Sequence, residues 1–288
     1  GGEGAAEGAA APAEDEESVL EPPAVKEFEL NGEEVSRLRV LFQWLVEPCM
    51  CLVRRELKEM SPTVDSGLLS SLLNLLTCFL KRAIPSEAKD AAEAPRMKHI
   101  ESSFLFALVW SVGVTTGGDG RERFSAFLRS IIEDVNVLET PKWSGVRTLL
   151  AIRKWVAPPK VGLRFECGLP GDHDAHDWCY APEVENGKWV SWLETLPHFE
   201  IAKDAEFSQI LIPTVCTAQI SYMLQLMIPC HVSPLIVGPT GTGKSVCATK
   251  ALADELDQER FKALSLGFSA KTSANMTQEI IDGQLSKR

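Results

Sequence analysis

The sequence predicts an α-helical unit followed by a β-hairpin and the incomplete start of an α/β domain. Three observations support this fold class. Apolar residues recur at three- and four-residue spacing through the first half. Asn186-Gly187 separates two short, aromatic-rich runs. After residue 234, an apolar run leads into a glycine-rich loop. The 288 residues are 45% hydrophobic and 24% charged, which is typical of a globular protein.

The first 25 residues differ in character from the rest of the chain. They are rich in Gly, Ala, Glu and Pro and contain few large apolar side chains, so we predict a disordered leader over 1–25. This leader carries seven acidic residues and no Lys or Arg, which leaves only −4 of the net charge of −11 for the remaining residues. A body so nearly neutral excludes an extended basic surface for nucleic acid or for an anionic membrane.

Four helices are predicted in a helical unit over 33–155. The first begins near Glu33, and Pro48 is expected to kink or split it. The second is expected to start at Ser61-Pro62. After a connecting loop over 85–96, the third covers 97–113. A glycine cluster at 117–120 breaks it, and the fourth is marked by Phe124, Phe127, Leu128, Ile131, Ile132 and Val135.

A linker with a β-hairpin is predicted over 156–208, and the start of an α/β domain over 209–288. The hairpin strands are expected at Trp178-Cys179-Tyr180 and 188–192, because Asn-Gly favours the positive φ angles of a tight turn. The second part is predicted as a helix over 215–228, a strand at Leu235-Ile236-Val237, a helix over 244–256, a strand near 262–268 and a helix from about 273.

No transmembrane span or secretory leader is predicted. The apolar segments 67–80 and 104–114 are shorter than the roughly 20 residues that a span requires, so they are interpreted as buried helices. No basic residue precedes Lys26, so a signal peptide is not expected. The eight cysteines of such a chain are expected to be reduced thiols in the cytoplasm.

One motif carries recognisable chemistry. The segment from Gly238 to Ser245 fits the phosphate-binding loop G-x-x-x-x-G-K-[ST], between a predicted strand and a predicted helix. Glycines allow backbone N–H groups to surround a β-phosphate, and the following helix presents its positive N-terminus to the same anion. The predicted nucleotide-binding residues are Gly238, Pro239, Thr240, Gly241, Thr242, Gly243, Lys244, Ser245 and Val246. Lys244 would reach the β-phosphate of ATP or ADP and the γ-phosphate of ATP, and the Ser245 hydroxyl would ligate Mg²⁺.

No catalytic residue for hydrolysis can be assigned. Hydrolysis requires an acidic residue at the end of another strand, a group that positions water, and usually an arginine finger. That acidic strand is expected after the one near 262–268, so we interpret the chain as a fragment and expect it to be a poor ATPase alone. A loop that binds nucleotide without hydrolysing it is an open alternative.

Three weaker patterns favour structural roles. Cys167, His173, His176 and Cys179 could hold Zn²⁺, but their spacing is not that of a zinc finger, and a polar loop is the favoured interpretation. The pair Cys49 and Cys51 is interpreted as helix packing. The tryptophans of the hairpin region could stack on a base, but hairpin packing is favoured; they are Trp178, Trp189 and Trp192.

Several segments, in the correct order, resemble dynein heavy chains, and the resemblance covers about residues 33–288. The segment from Ile212-Pro213-Thr214 to Ser245 resembles the start of an AAA+ module, and 268–281 resembles the segment after the phosphate loop in the third module of axonemal, inner-arm-type chains. Upstream, 41–49 and 104–113 are similar to helices of the small subdomain, or lid, of the second module. The hairpin segment 187–192 also has a counterpart in the family. In contrast, 216–219 is less charged than the family pattern.

The resemblance implies a ring of six AAA+ modules that couples ATP hydrolysis to movement on microtubules in the axoneme of a cilium or flagellum. It implies that Ile212, Pro213 and Thr214 contact the adenine end of the nucleotide, and that the third module gates the ring. Implied partners are microtubules and dynein intermediate and light chains, but neither nucleic acid nor a membrane. The alternative is a regulatory nucleotide-binding switch or scaffold that is not a motor.

Overall fold

The structure, a computed structural model, describes residues 28–84, 94–158, 164–171, 173–196 and 212–285. The predicted disordered leader lies outside these residues, as does most of the predicted loop over 85–96. The described part is mostly helical and contains one two-stranded sheet. The elements are α1 (Gly32–Leu41), α2 (Glu47–Glu56), α3 (Asp65–Ala83), α4 (Ala94–Ser111), α5 (Gly120–Glu133), α6 (Ser144–Ile152), β1 (Trp178–Ala181), β2 (Lys188–Ser191), α7 (Val215–Met227), α8 (Lys244–Lys250) and α9 (Ala274–Leu285).

The first predicted helix is divided by a π-helical turn. It begins with a capping box, in which the Asn31 side chain accepts from the Glu34 backbone N–H at 2.9 Å and the Glu34 carboxylate accepts from the Asn31 N–H at 2.8 Å. Between α1 and α2 the backbone forms a π-helical turn over Phe42–Val46, just before Pro48. Proline lacks an N–H and its ring clashes with the carbonyl group four residues earlier. The wider turn therefore lets the helix continue past Pro48 instead of breaking.

The longest helices, α3 and α4, pack together at the centre of the helical unit. Phe79 of α3 and Phe106 of α4 have ring centroids 4.6 Å apart, and both side chains are fully buried. The predicted start at Ser61-Pro62 is wrong, because α3 begins at Asp65. There Arg54 and Arg153 both donate to the Asp65 carboxylate, at 2.8 and 2.7 Å. A negative charge in the first turn also interacts favourably with the helix dipole.

The helical unit is completed by α5 and α6, which pack on α2. The fourth predicted helix is confirmed as α5, although it begins at Gly120 and ends at Glu133, before the predicted member Val135. Trp44, near the start of this unit, contacts α5: its indole N–H donates to the Ile131 carbonyl oxygen at 3.2 Å. The Trp44 side chain is 1% exposed. The two apolar segments considered as membrane spans are α3 and α4, and no helix among the described residues is long and apolar enough to cross a membrane.

The hairpin is confirmed. Strand β1 pairs antiparallel with β2, and Tyr180 lies opposite Trp189. Positive φ angles occur at Glu185, Asn186 and Gly187, as the Asn-Gly pair predicted, although they lie in a six-residue connection and not in a two-residue turn. The inner side chains of the hairpin join the core of the helical unit: Tyr180 is fully buried and Trp189 is 6% exposed. Packing, not base stacking, therefore accounts for these aromatic residues.

Beyond the hairpin, α7, α8 and α9 confirm the three predicted helices, but neither predicted strand forms. Residues 235–237 and 262–268 have no regular secondary structure, and within the described ranges the only sheet is that of β1 and β2. A β-strand requires a hydrogen-bonded neighbour. Because none of the described residues supplies one, Leu235 is 87% exposed and Phe268 is 70% exposed.

Candidate nucleotide-binding site

The glycine loop bends at two glycines that have positive φ angles. Gly241 and Gly243 have φ angles of 82° and 75°, in the left-handed region that residues other than glycine rarely adopt. Gly243 is the N-cap of α8, and its carbonyl oxygen accepts from the Cys247 N–H at 2.9 Å. The loop therefore ends at the first turn of a helix, where unpaired backbone N–H groups favour an anion.

Lys244 is directed back across this loop. Its ammonium group donates to the Pro239 carbonyl oxygen and, at 3.1 Å, to the Thr242 hydroxyl group. The same Thr242 hydroxyl donates to the Pro239 carbonyl oxygen at 3.0 Å. A Cβ atom at Gly238 would lie 3.4 Å from the Lys244 side chain. The loop thus encloses one positive charge, which fits a phosphate group in charge and donor chemistry.

The remaining predicted residues of the loop are accessible. Pro239, Thr240 and Ser245 are exposed, and Val246 is 58% exposed. Ser245 is the second residue of α8. A hydroxyl group there is an oxygen ligand of the type that Mg²⁺ prefers, so the residues present fit a magnesium nucleotide.

The adenine-end tripeptide implied by the resemblance leads directly into α7. Ile212 is 58% exposed, and Thr214 is the N-cap of α7. Thr214 and Thr217 form a reciprocal capping box: the Thr214 N–H donates to the Thr217 hydroxyl at 2.8 Å, and the Thr217 N–H donates to the Thr214 hydroxyl at 3.2 Å. Thr217 belongs to the segment that departs from the family pattern. The spacing Thr-x-x-Thr before an apolar run is the signal by which this cap could have been found.

Sequence reasoning missed the contacts that attach α7 to the helical unit and to the hairpin region. The Gln219 side-chain amide donates to the His176 carbonyl oxygen at 3.1 Å. The Arg82 guanidinium lies 5.0 Å from the centre of the Tyr222 ring and also donates to Glu183 at 2.7 Å. No sequence signal marks these contacts, because they join residues from 43 to 140 positions apart.

A cavity of about 430 Å³ lies between these parts of the chain. The helical unit contributes Arg82, the hairpin region contributes Cys179 and Trp192, and the following part contributes Pro213 and Lys250. Burial raises the pKa of the Cys179 thiol to about 12, so this thiol is neutral at physiological pH. The cavity does not include the phosphate loop.

The zinc alternative is not supported, since the described residues, which include Cys167, His173, His176 and Cys179, contain no group of three or more side chains that could hold a metal ion. His176 instead pairs through Nδ1 with Asp174 Oδ1 at 2.7 Å. Burial lowers the pKa of His176 despite this partner. The favoured polar-loop interpretation is only partly correct, because His176 is buried in a 3₁₀ turn and Cys179 is buried in strand β1. Cys49 and Cys51 are buried within α2, which confirms the interpretation of that pair as helix packing.

Comparison with known proteins agrees with this architecture. Residues 38–194 match the family model of the dynein heavy chain AAA lid domain, and residues 199–288 match that of the P-loop containing dynein motor region. The chain is similar to dynein axonemal heavy chain 1 of Homo sapiens (32% identity, covering 93% of this chain and 6% of the relative). It is also similar to dynein axonemal heavy chain 12 of Mus musculus (32%, 87% and 8%) and to dynein axonemal heavy chain 3 of Homo sapiens (29%, 90% and 6%).

This chain therefore spans less than a tenth of the length of these curated relatives. The first family model alone covers more than half of the chain, and the second begins five residues after the first ends. The helical unit, the hairpin and the phosphate loop occur in the order of these models. The chain belongs to the dynein heavy chain family.

Proposed function

We propose that the phosphate loop of this chain binds ATP or ADP together with Mg²⁺. Gly238, Gly241 and Gly243 provide the backbone curvature, Lys244 binds the β- and γ-phosphates, and Ser245 holds Mg²⁺. The observation that carries the proposal is the placement of the Lys244 ammonium group inside a loop with two glycines at positive φ, at the start of a helix.

The other loop residues, Pro239, Thr240, Thr242 and Val246, form the rim of the same site. At the adenine end, the capping box of Thr214 and Thr217 supports the proposal that Ile212, Pro213 and Thr214 contact the base, because it fixes the tripeptide to the first turn of α7. When bound, Mg²⁺ neutralises phosphate charge. No described residue is proposed to position the attacking water, so we expect this chain alone to bind nucleotide without efficient turnover.

At the level of the whole protein, we propose an ATP-driven microtubule motor of the axoneme, based on the names of the similar dynein axonemal heavy chains. In such a motor, 33–155 is the lid of one AAA+ module, 156–208 is the linker, and 209–288 begins the next module, which helps to gate the ring. Microtubules and dynein intermediate and light chains are the proposed partners. Membership in the dynein family favours this proposal over a switch or scaffold that is not a motor.

Equilibrium binding of a fluorescent ATP analogue with Mg²⁺ tests the site. We expect Lys244→Ala to weaken binding at least about 10-fold, because charge-assisted hydrogen bonds to phosphate are lost. The matched control is Lys250→Ala, which removes a lysine from the exposed end of α8, six residues from the loop lysine. Equal affinity of Lys244→Ala and the unaltered chain would refute the assigned role.

A further inference from the structure

Four aromatic rings meet where the lid contacts α7, and each carries a buried polar atom for which the described residues supply no hydrogen bond. The atoms are Trp110 Nε1, His176 Nε2, Trp192 Nε1 and Tyr222 Oη. The rings form a continuous line: the Trp110 centroid lies 5.8 Å from that of His176 and 5.9 Å from that of Trp192, and the Trp192 centroid lies 5.3 Å from that of Tyr222. We call these four residues the ring line.

Such a concentration of unpaired groups points to a missing partner. Buried polar side chains in proteins almost always have a hydrogen-bond partner, from the protein or from ordered water. Trp192 and His176 are each 2% exposed, so bulk solvent does not supply one. By contrast, the buried Trp44 indole donates to a backbone carbonyl oxygen, as expected.

The chemistry of the ring line selects the partner. An indole N–H can only donate, so the two tryptophans can neither pair with each other nor hold a metal cation. His176 uses Nδ1 to pair with the Asp174 carboxylate, and in its neutral form Nε2 is then an acceptor. The indoles require an acceptor and Nε2 of neutral His176 requires a donor; water supplies both functions, whereas a simple anion only accepts.

There is room for such a partner beside two of the four rings. Trp192 and Tyr222 line the cavity of about 430 Å³, which is large compared with the roughly 30 Å³ that a water molecule occupies in the liquid. The Tyr222 hydroxyl lies beside the Cys179 thiol, which is a weak partner and already donates to the Tyr180 carbonyl oxygen at 3.7 Å. The charge of Arg82 on the cavity wall is compensated by Glu183, at 2.7 Å.

We propose that buried water molecules occupy the ring line and complete the hydrogen bonds of Trp110, His176, Trp192 and Tyr222. The rings come from α4, the hairpin region and α7. The lid is therefore joined to the nucleotide-binding part partly through water and not solely through direct packing. A water-bridged joint can change its hydrogen bonds in small steps when α7 shifts, whereas a close-packed apolar contact cannot.

Nuclear magnetic resonance of the deuterated chain with ¹⁵N-labelled tryptophan tests the proposal. We expect water cross-peaks, with the sign of long-lived bound water, at the indole protons of Trp110 and Trp192. The internal control is Trp44, whose indole is buried and bonded to Ile131, and which should show no cross-peak. Absence of a cross-peak at either Trp110 or Trp192 would overturn the proposal, because a protein group would then satisfy that indole.

Single Trp→Phe variants assign the signals, each by the loss of one resonance. If a variant fails to fold, the indole resonance is assigned instead from the contacts of its proton with neighbouring side chains in the unaltered chain. The variant Tyr222→Phe removes the hydroxyl proton that could relay magnetisation from water to Trp192. Persistence of the Trp192 cross-peak in this variant is expected, and its disappearance would show that the hydroxyl group, not bound water, produced the signal.

Discussion

The Lys244 ammonium group donates a hydrogen bond to the carbonyl oxygen of Pro239, five residues earlier in the same loop. The contact closes the loop into a ring that includes Lys244, the first residue of α8. A phosphate group entering the loop would meet this charge together with the N–H groups of the helix N-terminus. The properties expected of the site depend on these two residues and the glycines between them.

Removal of the Ser245 hydroxyl should affect Mg²⁺ and not the phosphate loop itself. We expect Ser245→Ala to weaken binding of ATP with Mg²⁺ by about 10-fold, on the order of one lost polar interaction. Binding of ATP in the presence of a chelator should change little. Titration of each variant with and without Mg²⁺ measures the difference. The control is Thr249→Ala, on the exposed side of α8; equal losses in both conditions would contradict a metal-ligand role for Ser245.

A methyl group at Gly243 should disturb the loop through its backbone. The φ angle of 75° costs an alanine about 1–2 kcal/mol, although the added Cβ would meet only Cys247 Sγ, at 4.0 Å. We therefore expect Gly243→Ala to lower both nucleotide affinity and the thermal midpoint.

The matched control for this change is Gly283→Ala, inside α9, where an added Cβ meets nothing within 4 Å. It should leave affinity unchanged and add roughly 0.5–1 kcal/mol of helix stability. Similar thermal and binding effects of the two substitutions would argue against backbone strain in the loop.

Acidification should destabilise the hairpin region through His176. Burial lowers the pKa of its imidazole below the usual 6.5, so the unfolded chain binds a proton at a pH where the folded chain does not. The corresponding stability is fully present above about pH 6.5 and is lost as the pH falls toward the folded pKa. Its slope is at most about 1.4 kcal/mol per pH unit. His99, whose pKa burial also lowers, acts in the same direction.

Asp174 extends the effect to lower pH. Its burial raises the pKa, but hydrogen bonds from His176 and Ser125 outweigh burial, and the net pKa lies below the usual 3.8. This stability is therefore lost below about pH 4. Urea unfolding at pH 7.5 and 5.5 measures the histidine contribution, and His176→Asn should reduce the difference. His231→Asn, at an exposed position, should not. A wild-type difference retained in full by His176→Asn would exclude this group as the cause.

The cysteines should differ strongly in reactivity. Cys216 is exposed on the first turn of α7, whereas Cys49 and Cys51 are buried. Burial, followed by the charge of Glu47, raises the pKa of Cys51 to about 12, and burial raises that of Cys49 well above its usual value. Iodoacetamide should label Cys216 on the order of 10³-fold faster than either buried thiol, which must await unfolding. Mass mapping over time measures this, Cys216→Ser should remove the fast phase, and rapid labelling of Cys49 in the folded chain would contradict the buried assignment.

Local chemistry predicted most of the helices and the hairpin, because apolar spacing and Asn-Gly act over a few residues. The phosphate loop was predictable for the same reason, since Lys244 and its glycines are contiguous. Three features were not. Pro48 was expected to kink or split a helix, but not through a π-helical turn. The start of α3 is set at Asp65 by two arginines that lie 11 and 88 positions away in the sequence. The contacts of α7 with Arg82 and His176 depend on tertiary packing.

The apolar side chains around the two predicted strands have a practical consequence for work in solution. Leu235 is 87% exposed, Phe268 is 70% exposed and Val237 is 48% exposed. Water is a poor solvent for such surface, so copies of the chain gain free energy by covering it for one another. The light scattered per unit mass of this protein should rise with its concentration even while every helix remains folded. Colloidal behaviour, and not unfolding, is therefore expected to set the highest concentration at which the chain can be studied.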